Sequence, residues 1–318
     1  MSKLFNLKTD ANIADNFAVV AQNEKMIHKA NEVIHNMPNL SLESMRLLNE
    51  LYYQVQIRKD KKNQDSLKYD SLDFYRLQFT QTQLKKWMGI EKYNNYSKMI
   101  KKSLNELKET IELKNVRVNE EREKEYVVVS FINEYSKEYE DINNKHQKMY
   151  EIEINHTMHQ IIINSNIGYF TKLNLEYQSK FKTKNSIRLY EYCKSFQKQS
   201  YTPPMSLDLL NKLFISNYKY MSEALKVLHR NLKIVNAISD IEISILENKE
   251  NKRRTAKGKK VKISYIQLSI KKTTKQQLKE TNQILKTQGY KKHFKDKNLI
   301  NEVNTDEQII NNLLQMEA

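Results

Sequence analysis

"YKYMSEALKVLHRNLKIVNAISD" (residues 218–240) places Met221, Leu225, Leu228, Leu232 and Val235 at steps of four and three, a single apolar stripe on a helix spanning 219–237. Such a stripe needs a partner surface. Opposite it project Lys219, Lys226, Arg230 and Lys233, with Ser222 and Glu223 near the first turns. The stretch therefore predicts a helix that packs by one face and presents cations on the other.

Its neighbours say what kind of module holds it. Upstream, "NSIRLYEYCKSF" is an amphipathic helix with Ile187, Tyr190 and Cys193 toward the core, "YTPP" breaks it, "MSLDLLNKLF" is a short helix capped by Ser206, and "ISNY" turns. Downstream, "IEISIL" and "VKISYIQLSI" are strands joined by "ENKENKRRTAKGKK". In the second strand the alternation changes phase at Tyr265–Ile266, which predicts a bulge or a sheet edge there. Helix, short helix, turn, long helix, hairpin is the winged-helix order. In such modules the long helix enters the DNA major groove and the hairpin reaches an adjacent groove or the backbone. The loop between the strands supplies Lys252, Arg253, Arg254, Lys257, Lys259 and Lys260 as phosphate-contacting candidates beside the helix candidates.

The same order occurs earlier. "NLSLESMRLLNELYYQV" opens a helix with Ser41 as N-cap and Leu42, Met45, Leu48, Leu51 and Tyr52 at helical spacing. "FYRLQFTQTQLKKWMG" reads as a strand through Leu77 and Phe79, a Thr80 cap and a short helix ending at Gly89. "NYSKMIKKSLNELKETIEL" is a helix through Ile100, Leu104, Leu107 and Ile111, and "VRVN" and "YVVVSFIN" flank "EEREKE" as a hairpin. The expected fold class is mostly α with small β-hairpins (α+β), as two tandem winged-helix domains. The expected organisation is a flexible segment 1–36, with a helix through Met26, Ala30 and Ile34, then a first winged-helix domain 37–165, a second 166–272 and a polar tail 273–318.

Composition agrees with a polyanionic partner. In 318 residues, 54 Lys and Arg outnumber 38 Asp and Glu, giving +16. Residues 181–270 hold 18 basic and 7 acidic side chains, whereas 119–160 hold 10 acidic and 5 basic, so DNA contact should concentrate in the second half. One cysteine, Cys193, rules out an internal disulfide framework and any cysteine-cluster metal site, and it suits a reducing cytoplasm. No apolar run approaches the ~18 residues of a spanning helix, so no membrane partner is expected.

On these residues the chain resembles the iteron-binding initiators of theta-type plasmid replication, the Rep superfamily with two winged-helix domains. Ser186, Ile187, Arg188, Leu189, Tyr190 and Glu191 resemble that family's Ser-x-x-Ile-Arg-Leu-Tyr-Glu helix; Val227, Leu228, Leu232, Lys233, Val235, Asn236 and Asp240 resemble its recognition-helix pattern. "GKKVKISYIQLSI" resembles the strand after the wing, and "NLSLESMRLL" its first-domain helix. The resemblance implies a protein that binds repeated double-stranded origin DNA as a monomer, promotes strand opening and recruits host initiator and helicase. It also implies a homodimer, formed through the first domain, that represses its own promoter.

Two other functions fit the sequence less well. A transcriptional repressor would use the same helices without melting DNA. A rolling-circle nicking enzyme would need a metal-binding histidine pair and a tyrosine nucleophile. The nearest pair, His156 and His159 in "HTMH", has no third ligand in view and reads as surface or helix-start histidines. The four glycines, at 89, 168, 258 and 289, form no phosphate loop. No enzyme activity, catalytic residue, metal or cofactor is expected. The tail carries an apolar stripe of Ile309, Ile310, Leu313 and Leu314, read as a marginal helix.

Overall fold

Capping residues followed by apolar residues at helical spacing set the order of elements, and a computed structural model describes residues 25–64, 75–117, 123–139, 148–164, 169–246 and 265–273. The chain divides into two units, 1–180 and 181–318. The first runs β1 (Met26–Ala30), α1 (Asn31–His35), α2 (Leu42–Gln64), β2 (Arg76–Thr80), α3 (Gln81–Met88), α4 (Tyr96–Leu107), β3 (Thr110–Arg117), β4 (Glu123–Ser130), β5 (Ile132–Tyr139), β6 (Lys148–Ile154), α5 (His156–Ile163), β7 (Phe170–Asn174) and α6 (Leu175–Lys180). The second runs α7 (Lys184–Ser195), β8 (Met205–Ser206), α8 (Leu207–Phe214), α9 (Met221–Ile238), β9 (Ile241–Leu246) and β10 (Tyr265–Lys272).

In the second unit the expected stripe is the core: Met221, Leu225, Leu228, Leu232 and Val235 are all buried. They share the buried core with Ile187, Tyr190 and Cys193 of α7, Leu210 and Leu213 of α8, and Ile241, Ile243, Leu268 and Ile270 of the sheet. Helix α7 is less amphipathic than its sequence suggested, since every residue from Ser186 to Cys193 is buried. The sheet has order β8-β10-β9, all antiparallel. No bulge marks Tyr265–Ile266. There β10 keeps a regular alternation and is the central strand; what changes is the partner, Ser206 and Met205 giving way to β9 from Gln267 onward.

The first unit repeats this arrangement and adds to it. Strand β2 pairs with β6, and β6 with β5, so the order β2-β6-β5 matches β8-β10-β9. The hairpin expected from "VRVN" and "YVVVSFIN" exists as β3–β4, but it forms its own two-stranded sheet, packed on α1 and α5. "YVVVSFIN" is two strands, not one, broken where buried Phe131 turns inward and its amide donates to Leu107 O. Helix α4 stops at Leu107, and Ile111 belongs to β3, where the β-branched pair Thr110–Ile111 favours extended backbone. Residues 26–30 are strand β1, paired with β7, in place of the expected helix. That pairing ties β7 and α6 to the first unit, and the division into units falls at 180/181.

Matching side chains build both units. Ser44 and Ser186 stand on the first turn of α2 and α7, after the capping residues Ser41 and Thr183. Each serine donates to a side chain on another helix of its unit, Ser44 Oγ to Glu106 of α4 at 2.6 Å and Ser186 Oγ to Asn231 of α9 at 2.8 Å. Burial would push the Glu106 carboxyl up, but the bonds from Ser44 and Ser41 hold it below the usual range. Two residues on, Arg46 and Arg188 donate to carbonyls at the C-terminal ends of the short helices, Arg46 to Met88 O, and Arg188 to Leu213 O and Lys212 O. Those orphan carbonyls need partners, and a guanidinium also complements the helix dipole. Arg188 is 5% exposed, and burial, partly offset by Glu191, lowers it to about 10. The short helices begin alike, with Thr80 in a capping box and Ser206 accepting from Leu209 N. They end alike too, in the left-handed region: Gly89 at φ 70° and Ile215 at φ 49°.

Candidate nucleic-acid interface

Helix α9 presents what its buried stripe leaves over. Lys226 and Arg230 are exposed on it, while Ser222 and Lys233 are half-buried. Lys219 and Glu223 are exposed but differently placed: the helix starts at Met221, so Lys219 precedes it, and Glu223 Oε2 accepts from the Lys219 backbone N–H at 3.1 Å. Glu223 thus fixes the approach to the helix and places a negative charge where the dipole favours it. The turn before α9 is organised by Asn211, whose side chain donates to Tyr218 O at 3.0 Å and accepts from Tyr218 N at 2.9 Å and Ser216 Oγ at 3.1 Å. Beside this turn Tyr220 is 58% exposed.

The wing strand is tied to α9 by one amide. Asn236 Nδ2 donates to Ile243 O and its Oδ1 accepts from Ile243 N, both at 2.8 Å. β9 is the outer strand of its sheet, and Asn236 closes part of its free edge as a neighbouring strand would. At the α9–β9 junction, Asp240 accepts from Tyr190 OH at 3.2 Å and pairs with Lys194. The loop residues Lys252, Arg253, Arg254, Lys257, Lys259 and Lys260 lie outside the described residues, as does the tail stripe Ile309, Ile310, Leu313 and Leu314.

The segments that carry the resemblance prove largely to be scaffold: Ser186 to Glu191, Leu228, Leu232 and Val235 are buried, and Asn236 and Asp240 hold backbone or side chains within the unit. The exposed cations between them are what remain available to a ligand.

Helix α4 occupies the equivalent place in the first unit, where no interface residues are expected from the sequence. It exposes Lys98, Lys101 and Lys102 opposite buried Ile100, Leu104 and Leu107. The signal was in the sequence: these lysines fall between the apolar positions just as Lys226 and Arg230 do on α9. Near the start of α4, Lys85 Nζ sits 4.2 Å from the centre of the Tyr96 ring. Of the two histidines read as surface or helix-start residues, His156 is exposed at the start of α5, but His159 is a core residue, 1% exposed and packed edge-on against Tyr75 at 4.7 Å. Among the described residues no helix is long and apolar enough to cross a membrane.

A duplicated unit in which a long helix shows cations outward beside a three-stranded sheet defines a winged-helix protein of the nucleic-acid-binding kind. Residues 26–194 match the family model for the initiator replication protein, WH1, and the chain belongs to that family. Its structure is similar to a crystal structure of the Pi initiator protein in complex with iteron DNA, with a TM-score of 0.51 and 17% identity over 79% of this chain and 98% of that one. A structure of domains 2 and 3 of RctB also matches, with a TM-score of 0.44 and 12% identity over 74% of this chain and 84% of that one. No curated protein sequence matches.

Proposed function

We propose that the chain is a plasmid replication initiator that binds iterons, repeated duplex elements at its origin, with α9 reading bases and the first unit adding affinity. The observation that carries this reading is the exposed Lys226–Arg230 ridge on a helix whose opposite face is buried, within a member of the initiator replication family. Lys219, Ser222, Glu223, Lys226, Arg230 and Lys233 line the base-reading surface. Lys252, Arg253, Arg254, Lys257, Lys259 and Lys260 contact phosphates. Binding then opens the origin and recruits the host initiator and helicase. A dimer formed through the first winged-helix domain represses the gene's own promoter. The acidic outer face of the β2-β6-β5 sheet, with Glu151 and Glu153 around Arg76, supports a surface turned toward protein and away from DNA.

The test uses the DNA flanking the gene. Tandem repeats of about 20 base pairs, two helical turns, should lie there. The full-length chain should protect them from nuclease at that period and render an adjacent segment reactive to single-strand probes on a supercoiled plasmid. Equal binding to scrambled DNA would sink the reading, and protection without strand opening would reduce it to a repressor.

A further inference from the structure

Strands β5 and β6 lie within the acidic segment 119–160, and among their described side chains only one face of the pair is acidic. Strands β5 and β6 pair Tyr135 with Ile152, Lys137 with Tyr150, and residue 139 with Lys148. Alternation therefore puts Tyr135, Lys137, Tyr150 and Lys148 on the face that looks inward, and Glu134, Glu151 and Glu153 on the other, where the last two meet Arg76. Lys137 and Lys148 are diagonal neighbours across the ladder, roughly 7–8 Å apart by the usual geometry of such positions. Lys137 is exposed, with Nζ 5.5 Å from the centre of the buried Tyr150 ring, and Lys148 is half-buried. The two positive charges repel one another. Partial desolvation, and then the Lys148 charge, lower the hold of Lys137 on its proton.

This face continues onto α4. Tyr135 OH donates to Asn105 Oδ1 at 2.9 Å, which seats β5 beside α4. Asn105 lies one turn from Lys101 and two from Lys98, so the exposed cations run in a line from the hairpin along α4. A small free anion would meet the lysine pair alone, whereas a polymer of phosphates engages the whole line.

We propose that Lys137 and Lys148 form a two-cation seat for one backbone phosphate of duplex DNA, which sets the position of α4 against its groove. The inference rests on the reading of the chain as an origin-binding protein and adds a contact from a hairpin whose composition points away from DNA. A phosphate between the two ammonium groups relieves their repulsion, and Tyr150 and the α4–β5 contact keep the pair in place. The contact positions the protein without reading sequence.

Binding of the full-length chain, measured from low to moderate salt on a repeat-bearing duplex and on a scrambled one, tests this. Neutralising one phosphate contributes about 0.9 to the slope of log K against log salt. The double variant Lys137→Ala/Lys148→Ala should flatten that slope by about one on both duplexes, and Lys137→Arg/Lys148→Arg should keep it. An unchanged slope for the alanine pair, with wild-type binding intact, overturns the seat and leaves the origin-binding reading standing. A loss confined to repeat DNA also overturns it, since a phosphate contact cannot tell the duplexes apart. If the wild type binds neither duplex, the underlying reading falls and takes the seat with it.

Discussion

Replacing Asn236 by alanine should detach strand β9 from helix α9 without unfolding either. The Asn236 amide makes two bonds to one residue, Ile243, both at 2.8 Å. An ordinary intramolecular hydrogen bond contributes about 0.5–1.5 kcal/mol net, so the pair is worth about 1–3 kcal/mol. Asn236 is half-exposed, so its truncation opens no large cavity and water can reach the freed groups, which keeps the cost toward the lower end. Native-state hydrogen exchange reads this at one site. The Ile243 amide loses its acceptor and should exchange about tenfold faster for each 1.4 kcal/mol lost, while the buried core of α9 keeps its protection. Asn236→Asp separates the two bonds: the carboxylate still accepts from Ile243 N but leaves Ile243 O without its donor. Its Ile243 amide should stay protected although the chain is destabilised. An alanine variant whose Ile243 amide exchanges at the wild-type rate would mean that the strand is held by the ladder to β10 alone.

On the DNA side, Lys226→Ala should cost on the order of 1–3 kcal/mol on repeat DNA and much less on scrambled DNA, by fluorescence anisotropy; equal losses on both would make Lys226 a phosphate contact. Gly89→Ala should destabilise the first unit by about 2–3 kcal/mol, because Gly89 has φ 70° and a Cβ there would lie 2.5 Å from Arg46 Nη1, displacing its bond to Met88 O. A thermal midpoint equal to the wild type would refute that account. His159 is held neutral, its pKa lowered from 6.5 to about 4 chiefly by burial and then by His156. The unfolded chain therefore takes up a proton near pH 6.5 that the folded one refuses, and stability should fall as pH drops from about 6.5 toward 4, by up to about 3 kcal/mol at 1.36 per pH unit. His159→Gln should remove most of this acid sensitivity in urea titrations; an unchanged pH profile would place it elsewhere.

The local signals that proved legible were those carried by a few adjacent residues. Thr80 and Ser206 announce their helices because a hydroxyl can satisfy an orphan amide, and the stripe on α9 names its own buried face. What escaped the sequence depended on partners far along the chain. Strand β1 looked helical because Met26, Ala30 and Ile34 fit that spacing, but β7, about 140 residues later, offers it a ladder. The first unit's sheet was assigned to the wrong hairpin because β3–β4 comes first in sequence, while β2 pairs with β6. Glu151 and Lys137 read together as an acidic segment, and only the register sends them to opposite faces.

The arginines at 46 and 188 bear on which changes the chain can tolerate. Arginine is scarce here, 9 of the 54 cationic residues, and lysine serves almost everywhere else. Yet both units place an arginine where the end of a short helix must be held by a side chain reaching main-chain oxygens, Arg188 spanning the carbonyls of Lys212 and Leu213 and Arg46 those of Met88 and Ser179. A planar fork meets two acceptors at once, and a compact ammonium on a flexible stem does not. Substitution by lysine should therefore pass unnoticed at most arginines of this protein and be rejected at these two, so that in a library of random variants the gaps in lysine acceptance would mark the paired helix ends of the two modules.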